Sequence, residues 1–453
     1  MPARTSANWL VERRRIVCYS VGVWYGTAMA YTRRVIDDEL DELFGDLPAI
    51  SLEGAKGTGK TSTASQRVEA VLALDDEAVR ALVAIDPSGA IRRHASVLVD
   101  EWQLLPTIWD SVRRAVDEDN RGGRFLLTGS ATVPPGTRIH SGAGRIVDLQ
   151  MRPMSLPERG VTIPVVSLGD LGCGGAEIPT GAESRFVVDD YVREILASGL
   201  PGIRGYGPHA RRHQLQSYIT RIVEHEIPEA GASVRRPAAL RAWLAAYAAA
   251  TATTASYNVI LDAATPNEGD KPSRAAAESY REILTRLRIL DPLPAWVPSF
   301  SHLKRLGMAS KHHLVDPALA AVLLDASEAS LLGQPGPTLS RASDATLLGA
   351  LFESLVTLTV RVFAQRHGWR VSHFRTRNGD HEVDLIVEVE GLGVLAVEVK
   401  TANTITDADV THLRWLKGQL GDRVVDTVVI NTGRWAYRRP DGVAVVPLAL
   451  LGP

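Results

Sequence analysis

The chain has 453 residues, with 50 Lys+Arg against 52 Asp+Glu, 45% hydrophobic and 23% charged residues. That length exceeds one hydrophobic core, which stops growing near about 250–300 residues, and the composition excludes a wholly disordered or coiled-coil chain. A formal net charge of −2 excludes polyanion binding by bulk charge, so any nucleic-acid contact needs local basic patches. With only Cys18 and Cys173, neither a disulfide framework nor a structural zinc site can be built. The composition reads as that of a reduced, cytosolic, multidomain protein.

Residues 13–15 are Arg-Arg-Arg, followed by the apolar run 16–30, IVCYSVGVWYGTAMA. A basic flank and a closing Ala-Met-Ala resemble a signal peptide, and the run is too short to span a bilayer comfortably. The plainer reading makes 1–29 a leader of uncertain status, either disordered or read through ahead of a start at Met29, because patterned sequence begins just after it. No other segment is expected to approach the length of a membrane helix, and no membrane partner is expected.

Over residues 30–165 short apolar strands alternate with helical patterns, the signature of a parallel α/β sheet. The strand candidates are 49–52, 82–85, 97–99, 125–128 and 146–151, with a helix from 61 to about 74. A Gly-rich stretch, 166–185, reads as a linker. Residues 186–325 are mainly helical, with an Ala-rich run at 238–255 and a second helix near 274–290. A further linker, 326–345, precedes a helix-then-strand unit over 346–453.

Residues Gly54, Ala55, Lys56, Gly57, Thr58, Gly59, Lys60 and Thr61 match G-x-x-x-x-G-K-[ST] between a strand and a helix. Glycines let successive N–H groups curl toward a phosphate, and the helix N-terminus adds a favourable field. Lys60 is expected to reach the β- and γ-phosphates of ATP, and the Thr61 hydroxyl to ligate Mg²⁺, with Ser62 completing the loop. The apolar strand 96–99 ends in Asp100 and Glu101, the layout in which Asp100 holds Mg²⁺ and Glu101 polarises the attacking water. Thr128 and Ser130 end another apolar strand, where a polar group senses the γ-phosphate. Arg145 is a candidate arginine finger, in cis or from a neighbouring copy.

The runs EGAKGTGKTS, VDEWQ, LLTGSAT, GAGR and MRPMSLPE resemble those of bacterial and archaeal AAA-type ATPases joined to a domain of unknown function. The resemblance implies nucleotide binding and Mg²⁺-dependent hydrolysis, and assigns Pro153, Ser155 and Glu158 to the ATPase module. Such proteins usually carry Asn on the sensor strand, where Thr128 or Ser130 must substitute here. Residues 191–201, with Gly199 and Pro201, resemble the helix and turn that follow the ATPase core in that family.

Between residues 204 and 241 there are seven arginines and three acids, including Arg211-Arg212-His213 and Arg235-Arg236. With two following helices this suggests a winged-helix unit that sets a helix in a DNA groove and its arginines on phosphates. A solvated helical lid is the alternative.

In the last unit a helix carries Glu353, a strand carries Asp384, and the next reads Glu398-Val-Lys400. Strand alternation places Glu398 and Lys400 on one face, and a hairpin would bring Asp384 to it. Two carboxylates there could bind Mg²⁺ and polarise a phosphodiester, with Lys400 steadying the developing charge. The α-β-β-β-α-β order resembles the PD-(D/E)XK nuclease superfamily. That resemblance assigns metal ligation to Asp384 and Glu398, catalysis to Lys400 and support to Glu353, although Val383 stands where the motif has proline.

The fold expected is therefore a parallel-sheet AAA-type ATPase domain, a helical, winged-helix-like middle domain and an α/β nuclease-like C-terminal domain. ATP and Mg²⁺ are the expected cofactors, with DNA and a second copy of the chain as candidate partners. The function expected is a Mg²⁺-dependent ATPase coupled to nucleic-acid processing, with Asp384, Glu398 and Lys400 meeting at one point with room for metal. A salt-bridged, closed cluster would favour a nucleotide-driven switch or scaffold whose tail grips DNA or a protein.

Overall fold

The computed structural model describes residues 31–129, 141–179, 181–231, 234, 236–264, 273–297, 308–333 and 344–453. The leader reading for 1–29, the sensor candidate Ser130 and the basic residue Arg235 lie outside the described residues.

Five parallel strands build the first unit: β1 Ala49–Glu53, β2 Ala70–Ala73, β3 Val97–Asp100, β4 Phe125–Gly129 and β5 Val147–Gln150, in the order β2-β3-β4-β1-β5. Alternation along the strands splits their side chains between two cores. Ile50, Leu52, Leu98 and Leu126 pack with Ile36, Leu40 and Phe44 of the helix Ile36–Asp46. Ala49, Val97, Val99, Phe125 and Leu127 pack with Ile108, Trp109 and Val112 of the helix Thr107–Glu118. A sheet covered on both faces has this continuous apolar character.

Two expected elements differ. Residues 82–85 are not a strand but the end of the helix Glu77–Ile85, which Asp76 caps by accepting from the Ala78 and Val79 amides. Leu82 and Ile85 are 70% and 82% exposed, so their apolar run is not a core strand; short apolar runs do not distinguish helix from strand. The helix expected from 61 to about 74 is only Lys60–Ala64 followed by one 3-10 turn, Ser65–Arg67. The chain then returns to the sheet as β2, whose register beside β3 runs from Ala70↔Val97 to Ala73↔Asp100.

The stretch expected to be a linker at 166–185 is packed. It holds β6 Val166–Ser167 and the helix Leu168–Cys173, with Leu168 and Leu171 fully buried. Middle and C-terminal units share one core, in which Tyr191, Leu215, Trp243 and Leu319 join Phe352, Leu385, Val397 and Ile430.

Helices Pro237–Ala249, Tyr257–Ala263 and Arg274–Arg286 lead into a two-armed antiparallel ribbon. Its bridges are Leu290↔Leu314 and Leu293↔Lys311, and Ala295 joins the arm to His373 of the C-terminal sheet.

That sheet comprises β7 Arg370–Arg375, β8 Glu382–Val389, β9 Gly393–Lys400, β10 Val424–Asn431, β11 Tyr437–Arg438 and β12 Ala444–Pro447, in the order β11-β12-β10-β9-β8-β7. β7, β8 and β9 form an antiparallel meander, and β10 runs parallel to both β9 and β12. With the helices Asp344–Arg366 and Thr411–Leu420 this is the expected α-β-β-β-α-β order. A last strand, β13 Leu451–Gly452, pairs with β6 and closes the chain against the segment after the first sheet. Contrary to the sequence reading, the segment Thr346–Arg366 is long and apolar enough by composition to cross a membrane. Here it is the central helix of the shared core, with Leu351, Phe352, Leu355, Val356, Val360 and Phe363 fully buried.

Candidate functional site

The P-loop leaves the sheet at the C-terminal end of β1. A Cβ on Gly54 would lie 2.2 Å from the Met151 carbonyl oxygen, so the loop's first position has room for glycine alone. Gly59 sits at φ 100, in the left-handed region, and opens the helix Lys60–Ala64. Lys60 Nζ donates to the carbonyls of Gly54 at 2.8 Å and Ala55 at 3.1 Å. Burial lowers the Lys60 pKa, and Glu101 and Asp100 oppose that shift. Thr58 is buried, its hydroxyl donating to Ala55 O at 2.9 Å. Ser62 is exposed, and its carbonyl accepts from Ser65 Oγ at 3.1 Å.

Asp100 ends β3 two strands from the loop. Its Oδ1 accepts from Thr61 Oγ1 at 2.9 Å and also from Thr128 Oγ1. The ends of β3 and β4 and the helix that follows the loop thus meet at one carboxylate. Glu101 turns the chain at φ 52, and its Oε2 accepts from Gln103 Nε2.

Arg145 is elsewhere. β1 and β5 are parallel, with Ile50↔Val147 and Glu53↔Gln150 in register. The loop follows Glu53 whereas Arg145 precedes Val147, at the opposite edge of the sheet. Its Nε lies 2.5 Å from Asp117 Oδ1. A finger acting in cis is therefore corrected: parallel strands separate the two edges by their full length.

Sequence reasoning missed the residues that hold the loop. Buried Arg34 donates to Thr58 O and Arg152 O, each at 2.9 Å, and pairs with Glu158 Oε1 at 2.9 Å. Glu158 also accepts from the Val35 amide at 2.7 Å and from Ser155 N and Oγ at 2.6 and 2.7 Å. The Pro-x-Ser-x-x-Glu run, noted only by resemblance, was the available signal. From the middle unit, Glu226 pairs with Lys56 at 2.5 Å, Tyr218 donates to Lys56 O at 3.0 Å, and Arg288 pairs with Glu53 at 2.5 Å. Glu226 ends a π-helical turn, Ile222–Glu226, a distortion common at functional sites.

The basic run at 204–241 is largely spent within the chain. Arg204 pairs with Glu194 at 2.9 Å and Arg212 with Asp325 at 2.9 Å. Arg211 donates to Tyr206 O at 2.8 Å, and Arg241 to Thr220 Oγ1 at 2.6 Å. The ribbon is buried between units through Leu290, Leu293, Lys311 and His313.

In the C-terminal unit Glu353, Asp384, Glu398 and Lys400 do come together, around a residue that sequence reasoning passed over. Lys311, 1% exposed, sends Nζ to 2.9 Å from each of Glu353 Oε1, Glu382 Oε1 and Asp384 Oδ1. The second Asp384 oxygen accepts from the Val399 amide at 2.9 Å, and Glu398 Oε1 pairs with Lys400 at 2.8 Å. Burial alone would lower Lys311, but Asp384, Glu353 and Glu382 hold it above the ordinary lysine value. Burial raises Glu353 and Glu398, and the Asp384 charge raises both further. Asp384 is itself pushed up by burial and brought below its ordinary value by Lys311 and the Val399 amide.

In this arrangement Asp384 faces the Lys311 ammonium and Glu398 that of Lys400. Among the described residues no group of three or more His, Cys, Asp or Glu is arranged to hold a metal ion. The ammonium of Lys311 supplies the positive charge at the centre of these acids.

Residues 46–159 match the family model described as AAA domain. Residues 188–330 and 348–451 match two families described as domains of unknown function, DUF8612 and DUF4143. No curated protein matches the chain. Among solved structures, the Walker-type ATPase PABY2304 of Pyrococcus abyssi is 15% identical, with 65% of this chain and 96% of that chain covered and a TM-score of 0.38. The replication initiator DnaA bound to AMPPCP and single-stranded DNA is 14% identical, with 55% and 85% covered and a TM-score of 0.22. With its Walker elements assembled at the C-terminal edge of a parallel sheet, the chain carries an ATP-binding, AAA-type P-loop ATPase domain over residues 46–159, ahead of a helical middle unit and a mixed-sheet C-terminal unit.

Proposed function

We propose that the protein is a Mg²⁺-dependent ATPase that acts as a nucleotide-driven switch, with a nuclease-like C-terminal unit whose acidic centre is held shut by Lys311. The observation that carries this reading is the Lys311 ammonium 2.9 Å from three carboxylates at once. While the ammonium holds these three oxygens it supplies the positive charge that a divalent cation would otherwise bring.

For the ATPase half, the Thr61 hydroxyl and the Asp100 carboxylate are hard oxygen donors already 2.9 Å apart, and they fit Mg²⁺. When bound, that ion neutralises charge on the β- and γ-phosphates. The chain's own part is the cradle of amides over 54–61, the Lys60 ammonium, and Glu101 as the group that takes a proton from water. Arg145 would serve only across a contact with a second copy, since it lies at the far edge of the sheet.

For the C-terminal half, the α-β-β-β-α-β order and the placing of Asp384, Glu398 and Lys400 on adjacent strands support the nuclease-like reading. A second reading, in which the unit cleaves nucleic acid once opened, is favoured by one observation. Glu398 Oε2 is buried and makes no hydrogen bond in the closed arrangement, an oxygen left for another partner.

The test is phosphate release by the full chain with ATP and Mg²⁺, alongside incubation with plasmid DNA. Lys60→Ala should lose nucleotide binding, and Glu101→Gln should bind nucleotide but turn over about 100-fold more slowly. Glu101→Gln working at the parent rate would overturn the assignment of the base. Nicking by the parent without nucleotide, and lost in Asp384→Ala, would overturn the closed centre.

A further inference from the structure

The two arms of the ribbon carry the residues that touch both sites. Arg288 opens the first arm at φ 58, a conformation uncommon outside glycine. That turn ends the helix Arg274–Arg286 and aims the guanidinium at Glu53, the residue immediately before the P-loop. Three positions on, Asp291 is held by Arg152 at 2.8 Å from the ATPase unit and by Arg361 at 3.2 Å from the C-terminal helix. Burial would raise the Asp291 pKa, but these two guanidinium groups hold it well below the usual carboxylate range.

Backbone bonds lock the first arm to the second. Asp291 N donates to His313 O, and Leu293 and Lys311 exchange both of their N–H···O bonds, all at 2.9 Å. Lys311 is thus fixed in register to Asp291. The other end of Arg152 returns to the loop: its carbonyl accepts from Arg34, which also donates to Thr58 O. One run of buried and part-buried hydrogen bonds and ion pairs therefore leads from Thr58 through Arg34, Arg152, Asp291 and the ribbon to Lys311 and Asp384.

We propose that this ribbon makes Lys311 a nucleotide-controlled plug: phosphate arriving at the P-loop loosens the middle unit's hold there and withdraws Lys311 from the carboxylates of Glu353, Glu382 and Asp384. The inference rests on the reading of Lys311 as the closure of a nuclease-like centre and supplies its regulation. Two of the middle unit's grips on the ATPase, Lys56–Glu226 and Arg288–Glu53, involve residues within or next to the phosphate loop. An anion bound there competes with Glu226 for Lys56 and with Glu53 for Arg288. Nucleotide then has a different affinity for the gripped and released states, which is what a population shift requires. By linkage, whatever factor nucleotide applies to Lys311 release, Lys311 applies to nucleotide affinity.

The experiment is amine labelling of Lys311, read by peptide mass spectrometry, on the full chain with and without a non-hydrolysable ATP analogue and Mg²⁺. The parent should show Lys311 labelling at least about 5-fold faster with nucleotide, the lower end of ordinary allosteric coupling. Arg288→Gly keeps the left-handed turn and removes the grip; it should label fast with or without nucleotide. Asp291→Asn should bind the analogue yet lose most of the nucleotide-dependent difference. Analogue binding to the parent with Lys311 labelling unchanged would overturn the coupling while leaving the ATPase reading intact. Failure of the parent to bind the analogue would overturn both.

Discussion

Lys311 and Asp384 lie 73 positions apart in the chain, yet Nζ and Oδ1 meet at 2.9 Å where a buried lysine faces the part-buried carboxylates of Asp384 and Glu353. The lysine comes from the middle unit and the acids from the C-terminal unit, so the contact is also a joint between units. Such a centre is costly to leave half-made, because a buried charge without its partner keeps its desolvation penalty and loses its compensation.

Lys311→Met should therefore destabilise the chain by about 3–5 kcal/mol, the range for breaking a buried pair from one side. Adding Asp384→Asn in the same chain should recover part of that loss. A double-mutant cycle by urea denaturation checks it, and simple additivity would show that the two charges are not energetically joined.

His313 gives a pH dependence of definite sign. Burial, with repulsion from Lys311 and Arg361, brings its pKa down to about 3, while Asp291 pulls the other way. The unfolded chain takes up this proton near about pH 6.5. The penalty is therefore absent above that value and grows as pH falls, until the folded histidine titrates near about 3. Between pH 7 and 5 this one site should cost about 2 kcal/mol. His313→Leu should remove that share of the slope in denaturation curves taken at the two pH values. An unchanged slope would mean the histidine is charged in the folded state.

Arg34 and Glu158 hold the back of the phosphate loop without touching its inner face. Glu158→Gln sets an NH2 against N–H donors that now point at a carboxylate oxygen and takes the counter-charge from a buried guanidinium, and Arg34→Met removes the Thr58 and Arg152 bonds outright. Both should lower stability, by about 1–3 kcal/mol for the unsatisfied groups, and weaken nucleotide binding about 10-fold as the loop loses its preorganisation. Calorimetric titration with an ATP analogue reads the second effect. Parent-like affinity in Arg34→Met would show that the loop holds its shape unaided.

The parts legible in the sequence were those with a short period or a short motif. The P-loop occupies consecutive positions, Asp100 ends an apolar strand, and Asp384 and Glu398 each sit on their own alternating strand. Periods and spacings of that kind follow from local backbone geometry, so residue order alone exposes them. The run at 82–85 misled because an apolar tetrapeptide satisfies strand and helix patterns alike, and the Asp76 cap settles the question from outside it. The stretch at 166–185 misled for a related reason. Its glycines suggested a linker, while Val166, Leu168 and Leu171 had a core to reach.

By itself, then, the sequence determined the nucleotide loop, its acidic partner strand, the parallel sheet around them and the order of elements in the last unit. Tertiary structure alone decided that Arg145 faces the wrong edge, that Arg34 reaches Glu158 across 124 positions, and that Lys311 sits among the acids. Charge pairing of this range leaves no periodic trace in the chain. A lysine reads as a solvated surface residue until packing removes the water around it, and only then do the carboxylates that face it decide what it does.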